Sequence, residues 1–203
     1  MPIFVYGFLH FFGKNEYKLP IYYPQGVKEG DTIYHQIPSF ELKDQYNRSF
    51  NGKQLAGKIV IADFFFTSCG NPNFCPKMSE GLRRIQNTFE KNTDITLLSF
   101  TVDPQRDTPE VLLNYAQRYQ AQKDKWFFLT GNKKDIYHLA EKGFYIVAGE
   151  EKDTVTPDFI HSSKLILVDK KGRIRGYYDG TQPEEIERLL VEIKILEKET
   201  NHL

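Results

Sequence analysis

Short apolar runs alternate with amphipathic segments along the first part of this chain. Residues 59–66 and 95–102 are apolar and rich in β-branched and aromatic side chains, which predicts two buried strands. A shorter apolar run, residues 126–129, predicts a third strand. Apolar positions recur every three or four residues from Met78 to Phe89 and from Leu112 to Tyr119, which predicts a helix after each of the first two strands.

The second half continues the pattern with helix and hairpin signals. Asn132 can cap a third helix that ends at Gly143. Residues 163–169 and 173–178 read as antiparallel strands joined by the Lys-Lys-Gly turn between them, and Pro183 opens a last amphipathic helix. The chain therefore closes on a hairpin and a helix.

The N-terminal part shows less order. Residues 40–50 have the composition of a small hairpin. Residues 14–36 mix Pro, Gly and Tyr without a sustained period, which predicts an extended lead-in along the surface. We therefore divide the chain into an N-terminal lead-in, residues 1–35, and one domain, residues 36–203.

The two cysteines, Cys69 and Cys75, are the chain's only thiols and stand between the first buried strand and its helix. Pro76 suits the first position of that helix, whose N-terminus favours thiolate over thiol, so thiols that are not fully buried are expected to be reactive or metal-binding. On one continuous helix the pair would lie about 9 Å apart along the axis, so residues 70–74 must loop out. A structural disulfide or two inert buried thiols are the plainer alternatives.

The order of elements predicts an α/β fold: a central mixed sheet flanked by helices on both faces, with the hairpin at residues 40–50 as an N-terminal extension. A reactive cysteine pair between the first core strand and its helix makes this fold thioredoxin-like.

Composition narrows the class of partner. The chain has 27 Lys plus Arg and 27 Asp plus Glu, so no basic excess indicates nucleic acid or an anionic membrane. Residues 3–12 are apolar except for His10, but they are about half of the ~20 residues that a bilayer span needs. No signal-peptide pattern is visible. Either a membrane anchor has been removed from this chain, or its first residues pack on the domain.

Three stretches resemble the Sco/SenC family. They are Phe64 to Cys69 followed by Cys75-Pro76, then the run from Val102 to Pro109, and then His161 before the strand that leads to Gly172. The resemblance implies a thioredoxin-like copper protein, usually membrane-anchored and extracytoplasmic on the periplasmic side. It also implies a role in assembling the copper site of cytochrome c oxidase. The family's partner would be the copper-bearing oxidase subunit or another thiol or copper protein.

The resemblance also implies a copper site made by Cys69, Cys75 and His161. Two thiolates and an imidazole suit Cu(I) and, with a further oxygen ligand, Cu(II), whereas zinc usually takes a fourth ligand. The other histidines have simpler interpretations: His138 lies on a predicted helix, and the remaining three lie in the lead-in or at the end of the chain. This chain has five residues between its cysteines where the family pattern has three, a difference that bears on loop stiffness and copper affinity.

Three functions follow from the cysteine pair. The first is a copper chaperone that passes the metal on by ligand exchange. The second is a thiol–disulfide oxidoreductase in which Cys69 attacks and Cys75 resolves, and the third is a thiol peroxidase. Whether the protein is an enzyme stays open at this point. Asp103 and Asp107 are interpreted as turn and helix-start residues, with Asp103 kept as a candidate neighbour of the metal site.

Overall fold

A computed structural model describes residues 18–146 and 162–200, which form nine strands and four α-helices. The strands are β1 (Pro24–Lys28), β2 (Asp31–Tyr34), β3 (Glu41–Lys43), β4 (Ser49–Asn51), β5 (Ile59–Phe65), β6 (Ile95–Thr101), β7 (Trp126–Leu129), β8 (Lys164–Val168) and β9 (Ile174–Asp179). The helices are α1 (Cys75–Thr88), α2 (Pro109–Arg118), α3 (Lys133–His138) and α4 (Pro183–Thr200). A 3-10 turn covers Gly52–Leu55, and a π-helical turn, Leu139–Gly143, continues α3.

Five strands form the central sheet, in the order β7-β6-β5-β8-β9. Strand β5 runs parallel to β6, with Ile59 opposite Ile95, and antiparallel to β8, with Val60 opposite Val168. Every residue of β5 and β6 is buried, as expected for strands covered on both faces. The predicted mixed sheet is therefore confirmed, and its central strand is the one that leads to the cysteines.

Alternate residues of β5 face different layers. Phe65 packs against Tyr115 of α2, whereas Phe64 stacks on Phe100 and contacts Phe144 on the opposite face. Helices α1 and α2 are joined on the first face by a 2.9 Å hydrogen bond between the hydroxyls of Ser79 and Tyr115. On the second face Phe50 of β4 contacts Phe127 of β7, and the Tyr137 hydroxyl of α3 donates to the Val102 carbonyl just after β6. The predicted cover on both faces and the hairpin extension are therefore confirmed.

The lead-in differs from the prediction. Strands β1 and β2 pair as an exposed antiparallel hairpin within a segment that the sequence analysis expected to be extended. Its turn uses Glu29 and Gly30, both with positive φ, which is the backbone that a two-residue hairpin turn requires. The residues before this hairpin are held by β9: the Arg175 guanidinium donates to the carbonyl oxygens of Leu19 and Pro20 at 2.7 and 2.9 Å. The boundary at residues 35 and 36 stays a prediction.

Within residues 18–146 and 162–200, none of the helices combines the length and the apolar character that crossing a membrane requires.

Candidate metal centre

The cysteine turn, residues 66–75, connects the end of β5 to the start of α1. It begins with a tight turn in which the Cys69 amide donates to the Phe66 carbonyl at 3.4 Å. Asn71 then organises the loop: its side-chain oxygen accepts the Asn73 amide at 2.9 Å, and its carbonyl accepts the Phe74 amide at 3.2 Å. The predicted loop-out of residues 70–74 is confirmed, and it is built mainly by Asn71.

The two thiols differ in exposure. Cys75 is the first residue of α1 and is 1% exposed, whereas Cys69 is half-buried, and no disulfide joins them. The pKa of Cys75 is raised well above its ordinary value, first by its interaction with the Cys69 side chain and then by burial. The helix N-terminus was expected to favour thiolate only in thiols that are not fully buried, and Cys75 is buried. At Cys75 the neighbouring Cys69 side chain and the loss of water favour the protonated thiol.

Asp107 fixes the start of the cysteine turn from a distant part of the chain. Its carboxylate is fully buried and accepts the Thr67 amide at 3.1 Å together with the hydroxyls of Thr67 and Thr101. Burial raises the pKa of Asp107, and the threonine hydrogen bonds oppose that rise. From the sequence this aspartate was predicted only as a helix-start residue, and its role in holding the residues before Cys69 was missed.

Asp63 is a second buried carboxyl below the turn. It lies in the middle of β5, 1% exposed, and neither of its oxygens has a hydrogen-bond partner among the described residues. Burial raises its pKa to about 7, and the negative charge of Asp63 contributes to the raised pKa of Cys75. The hydroxyl of Ser99, opposite Asp63 on β6, opposes this rise in the pKa of Asp63, and it also accepts the Trp126 indole N–H at 2.9 Å. A single carboxylate in an apolar strand was the sequence signal for this residue.

Asp103 forms the turn after β6, as predicted. Its carbonyl accepts the amides of Arg106 and Asp107 at 3.1 and 2.9 Å, and its amide donates to the Thr101 hydroxyl. The carboxylate is buried and lies 3.6 Å from the Arg106 guanidinium. Asp103 therefore stabilises the segment that carries Asp107.

The predicted histidine ligand, His161, lies outside the described residues, as do His10 and His202. Of the described histidines, His138 is exposed on α3, as predicted, and His35 is buried with its Nε2 2.8 Å from the Gly143 carbonyl. The described ranges hold no cluster of three or more His, Cys, Asp or Glu side chains arranged for a metal. The chain re-enters the sheet at β8, which runs antiparallel to β5 and so begins at the edge where β5 ends.

Comparisons with known proteins agree on one family. The SCO1/SenC family model matches residues 29–196. A SCO1/SenC family lipoprotein from Bacillus anthracis superposes with a TM-score of 0.70 at 28% identity, covering 80% of this chain and 95% of the other. BsSco, described as a Sco-family cytochrome c oxidase assembly protein with a disulfide switch, gives 0.68 at 28% identity, covering 84% and 96%. Copper-bound ScoI of Bradyrhizobium japonicum gives 0.57 at 25% identity, covering 76% and 97%. The thioredoxin-like fold is confirmed.

Proposed function

The chain belongs to the SCO1/SenC family, and from that premise we propose that it is a copper chaperone for the assembly of cytochrome c oxidase. Copper is the cargo, held by Cys69, Cys75 and His161 and passed to a partner by exchange of ligands. The observation that carries the proposal is a pair of interacting thiols that no disulfide joins, Cys75 at the start of α1 and the partly exposed Cys69 in the turn before it. Two thiolates and an imidazole suit Cu(I) and Cu(II).

The course of the chain supports His161 as the third ligand. Strand β8 begins at Lys164, three residues after His161, at the edge of the sheet where β5 delivers the cysteine turn. Three residues of chain reach at most about 10 Å, and Lys164 lies at the same edge of the sheet as the start of the cysteine turn, which supports the choice of His161. The alternatives within the described residues are weaker, because His138 is exposed on α3 and the His35 ring is bonded to a backbone carbonyl.

An anaerobic copper titration of the reduced protein tests the proposal. We expect one copper per chain, with a Cu(II)–thiolate charge-transfer band that disappears in Cys69→Ala and weakens strongly in His161→Ala. His138→Ala is the matched control and should keep the band and the affinity, since its ring is exposed on a helix. A wild-type spectrum and affinity in His161→Ala would remove His161 from the ligand set.

A second activity is favoured by the unequal exposure of the thiols. Cys69 can attack a partner disulfide, releasing one partner thiolate and forming a mixed disulfide. Cys75 then attacks the Cys69 sulfur, so the partner leaves as a dithiol and the chain keeps the disulfide. The two electrons come from the chain's own thiols. The activity would prepare the partner's cysteines for copper, and Cys75→Ser should stop it at the mixed disulfide.

We also propose an acceptor protein and a cellular location for this chain. The acceptor is the copper-bearing subunit of cytochrome c oxidase or another thiol or copper protein. The protein is membrane-anchored on the extracytoplasmic side, a location that the lipoprotein from Bacillus anthracis supports. Expression in a Gram-negative host followed by cell fractionation checks this location. Recovery of the protein only in the cytosol would contradict it.

A further inference from the structure

The accessible thiol opens onto a cleft between the cysteine turn and α2. The cleft has a volume of about 340 Å³, and its walls include Pro72 and Pro76 beside Cys69 and Tyr115, Arg118 and Tyr119 from the end of α2. Because Cys75 is buried, any partner that exchanges copper or a disulfide with this chain must approach Cys69. The cleft is therefore the surface that a partner's reacting segment meets first.

The charged side chain that lines this cleft is positive. Arg118 is exposed, and its guanidinium lies 5.7 Å from the centre of the Tyr119 ring. No carboxylate lines the cleft, and the described residues give Arg118 no salt bridge. The buried carboxylate of Asp107 does not line the cleft and accepts hydrogen bonds from Thr67 and Thr101. Arginine over an aromatic ring is well suited to pairing with a carboxylate.

We propose that this cleft docks a partner segment that carries an aspartate or glutamate next to its reacting sulfur, with the carboxylate paired to Arg118. The inference rests on the proposed function, since it names the recognition step at the same thiol. The proline and tyrosine walls contact the apolar part of the segment, and Arg118 selects its charge.

Arg118 also lies in the last turn of α2, where a cation interacts favourably with the helix dipole. That role predicts a small change in stability when Arg118 is replaced. A role in stabilising the end of α2 predicts no preference of Cys69 for one disulfide over another. A preference for a carboxylate-bearing disulfide therefore distinguishes the docking role of Arg118 from its role in stability.

The test uses the full chain with Cys75→Ser, which leaves Cys69 as the single thiol. Its rate of exchange is measured with dithiobis(nitrobenzoate), an aromatic disulfide with a carboxylate on each ring, and with dithiodipyridine, an uncharged aromatic disulfide. In each reaction the Cys69 thiolate attacks one sulfur, the S–S bond breaks, a mixed disulfide forms and one thiolate leaves. Dividing each rate by that of N-acetylcysteine removes the intrinsic reactivity of the reagent.

We expect the normalised preference for the carboxylate reagent to fall about threefold to fivefold in Arg118→Gln, the size expected for an exposed ion pair, and to shrink at high salt. Arg118→Glu should reverse it. Arg84→Gln is the matched control: it removes the same charge from α1, where Arg84 pairs with Glu187 of α4 away from the cleft, and should leave the preference unchanged. An equal preference in Arg118→Gln and its parent, or an equal loss in Arg84→Gln, would overturn the proposal.

The copper titration separates this inference from the function on which it rests. Arg118→Gln with both cysteines present should bind copper with the stoichiometry of the parent protein. If the parent binds no copper, the chaperone function fails even where the carboxylate preference persists. If copper binds normally and the preference is absent, only the docking proposal fails.

Discussion

The hairpin turns between β3 and β4 and between β8 and β9 can be compared with the cysteine turn. In the first hairpin turn one oxygen of Asp44 accepts the amides of Tyr46 and Arg48 at 2.9 Å, and the other accepts the Arg48 guanidinium at 2.7 Å. In the second, Asp169 does the same for Lys171 and Arg173, at 2.8 to 3.0 Å. Both carboxylates are 2% exposed.

The cysteine turn uses the same chemistry over a longer reach. Its carboxylate, Asp107, comes from the segment after β6 and meets Thr67 only once β5 and β6 are paired. The hairpin turns carry their own aspartate and arginine within five consecutive residues, so they form from local sequence. The turn that presents the thiols depends on the completed sheet, and its geometry is coupled to the stability of the whole domain.

The largest effect on the free energy of unfolding is expected from Asp63, a buried aspartate that, unlike Asp44, Asp107 and Asp169, stabilises no turn. Its pKa is about 7 in the folded protein because of burial, against about 4 when unfolded. The folded state therefore favours the protonated acid, so the contribution of Asp63 to the free energy of unfolding is largest below pH 4 and falls as the pH rises to 7, by on the order of 4 kcal/mol.

Urea unfolding of the reduced, metal-free protein at several pH values checks the Asp63 prediction. Asp63→Asn should remove most of the fall between pH 4 and 7 while leaving the pH dependence outside this window. A fall of unchanged size in the variant would assign it to other groups.

Asp107→Ala tests whether the Asp107 carboxylate, which comes from a distant segment, holds the start of the cysteine turn. The change leaves the Thr67 amide and two threonine hydroxyls without their acceptor, and we expect a loss of about 3 kcal/mol in the free energy of unfolding. Copper affinity should fall as well, because the residues before Cys69 lose their support. Asp107→Asn retains one acceptor and should lose less. Unaltered copper affinity in Asp107→Ala would separate the anchor from the site.

Asp44→Ala tests the carboxylate that stabilises the β3–β4 turn from within the turn itself. It removes the acceptor for two amides and for the partly exposed Arg48, so we expect a loss of about 1.5 kcal/mol by urea unfolding. Because this turn lies on the β3–β4 hairpin, copper affinity should stay at the wild-type value. A loss of copper affinity equal to that of Asp107→Ala would show that the two kinds of turn do not differ.

The smallest changes in stability are expected from substituting one glycine in a hairpin turn, Gly172, and one in the cysteine turn, Gly70. Gly172 has a φ of +77° in the β8–β9 turn, so Gly172→Ala should cost about 1 kcal/mol. Gly70 in the cysteine turn lies outside the left-handed region, and nothing lies within 4 Å of an added Cβ. Gly70→Ala should therefore change stability by less than about 0.5 kcal/mol. Thermal unfolding of the two variants side by side checks the difference, and an equal loss would contradict it.

Much of the fold could be predicted from local pattern. Strand β7 was predicted to the residue, and Asp107 was recognised as a residue at the start of a helix, which is α2 and is capped by the Thr108 hydroxyl accepting the Val111 amide. The β1–β2 hairpin was missed because its strands are exposed and carry no apolar alternation. Its Glu-Gly turn is a weaker signal than the Lys-Lys-Gly turn between two apolar strands.

The candidate site was predictable only in part. The two cysteines, the loop between them and the helix that follows were visible in the sequence, because all of them lie within one short segment. The raised pKa of Cys75 was not, since it depends first on the neighbouring Cys69 side chain and then on burial. The role of Asp107 was missed for a related reason: an aspartate before a threonine cap has a sufficient local explanation.

The sequence by itself determined the order of strands and helices, the two locally anchored hairpin turns and the place of the thiols between β5 and α1. These features depend on spacing, turn chemistry and caps within a few residues. Only the tertiary structure decided which thiol faces the solvent, which carboxylate holds the cysteine turn and which arginine borders the cleft beside Cys69. Those outcomes depend on burial and on contacts between distant segments, and both arise only when the sheet and its helices have packed together.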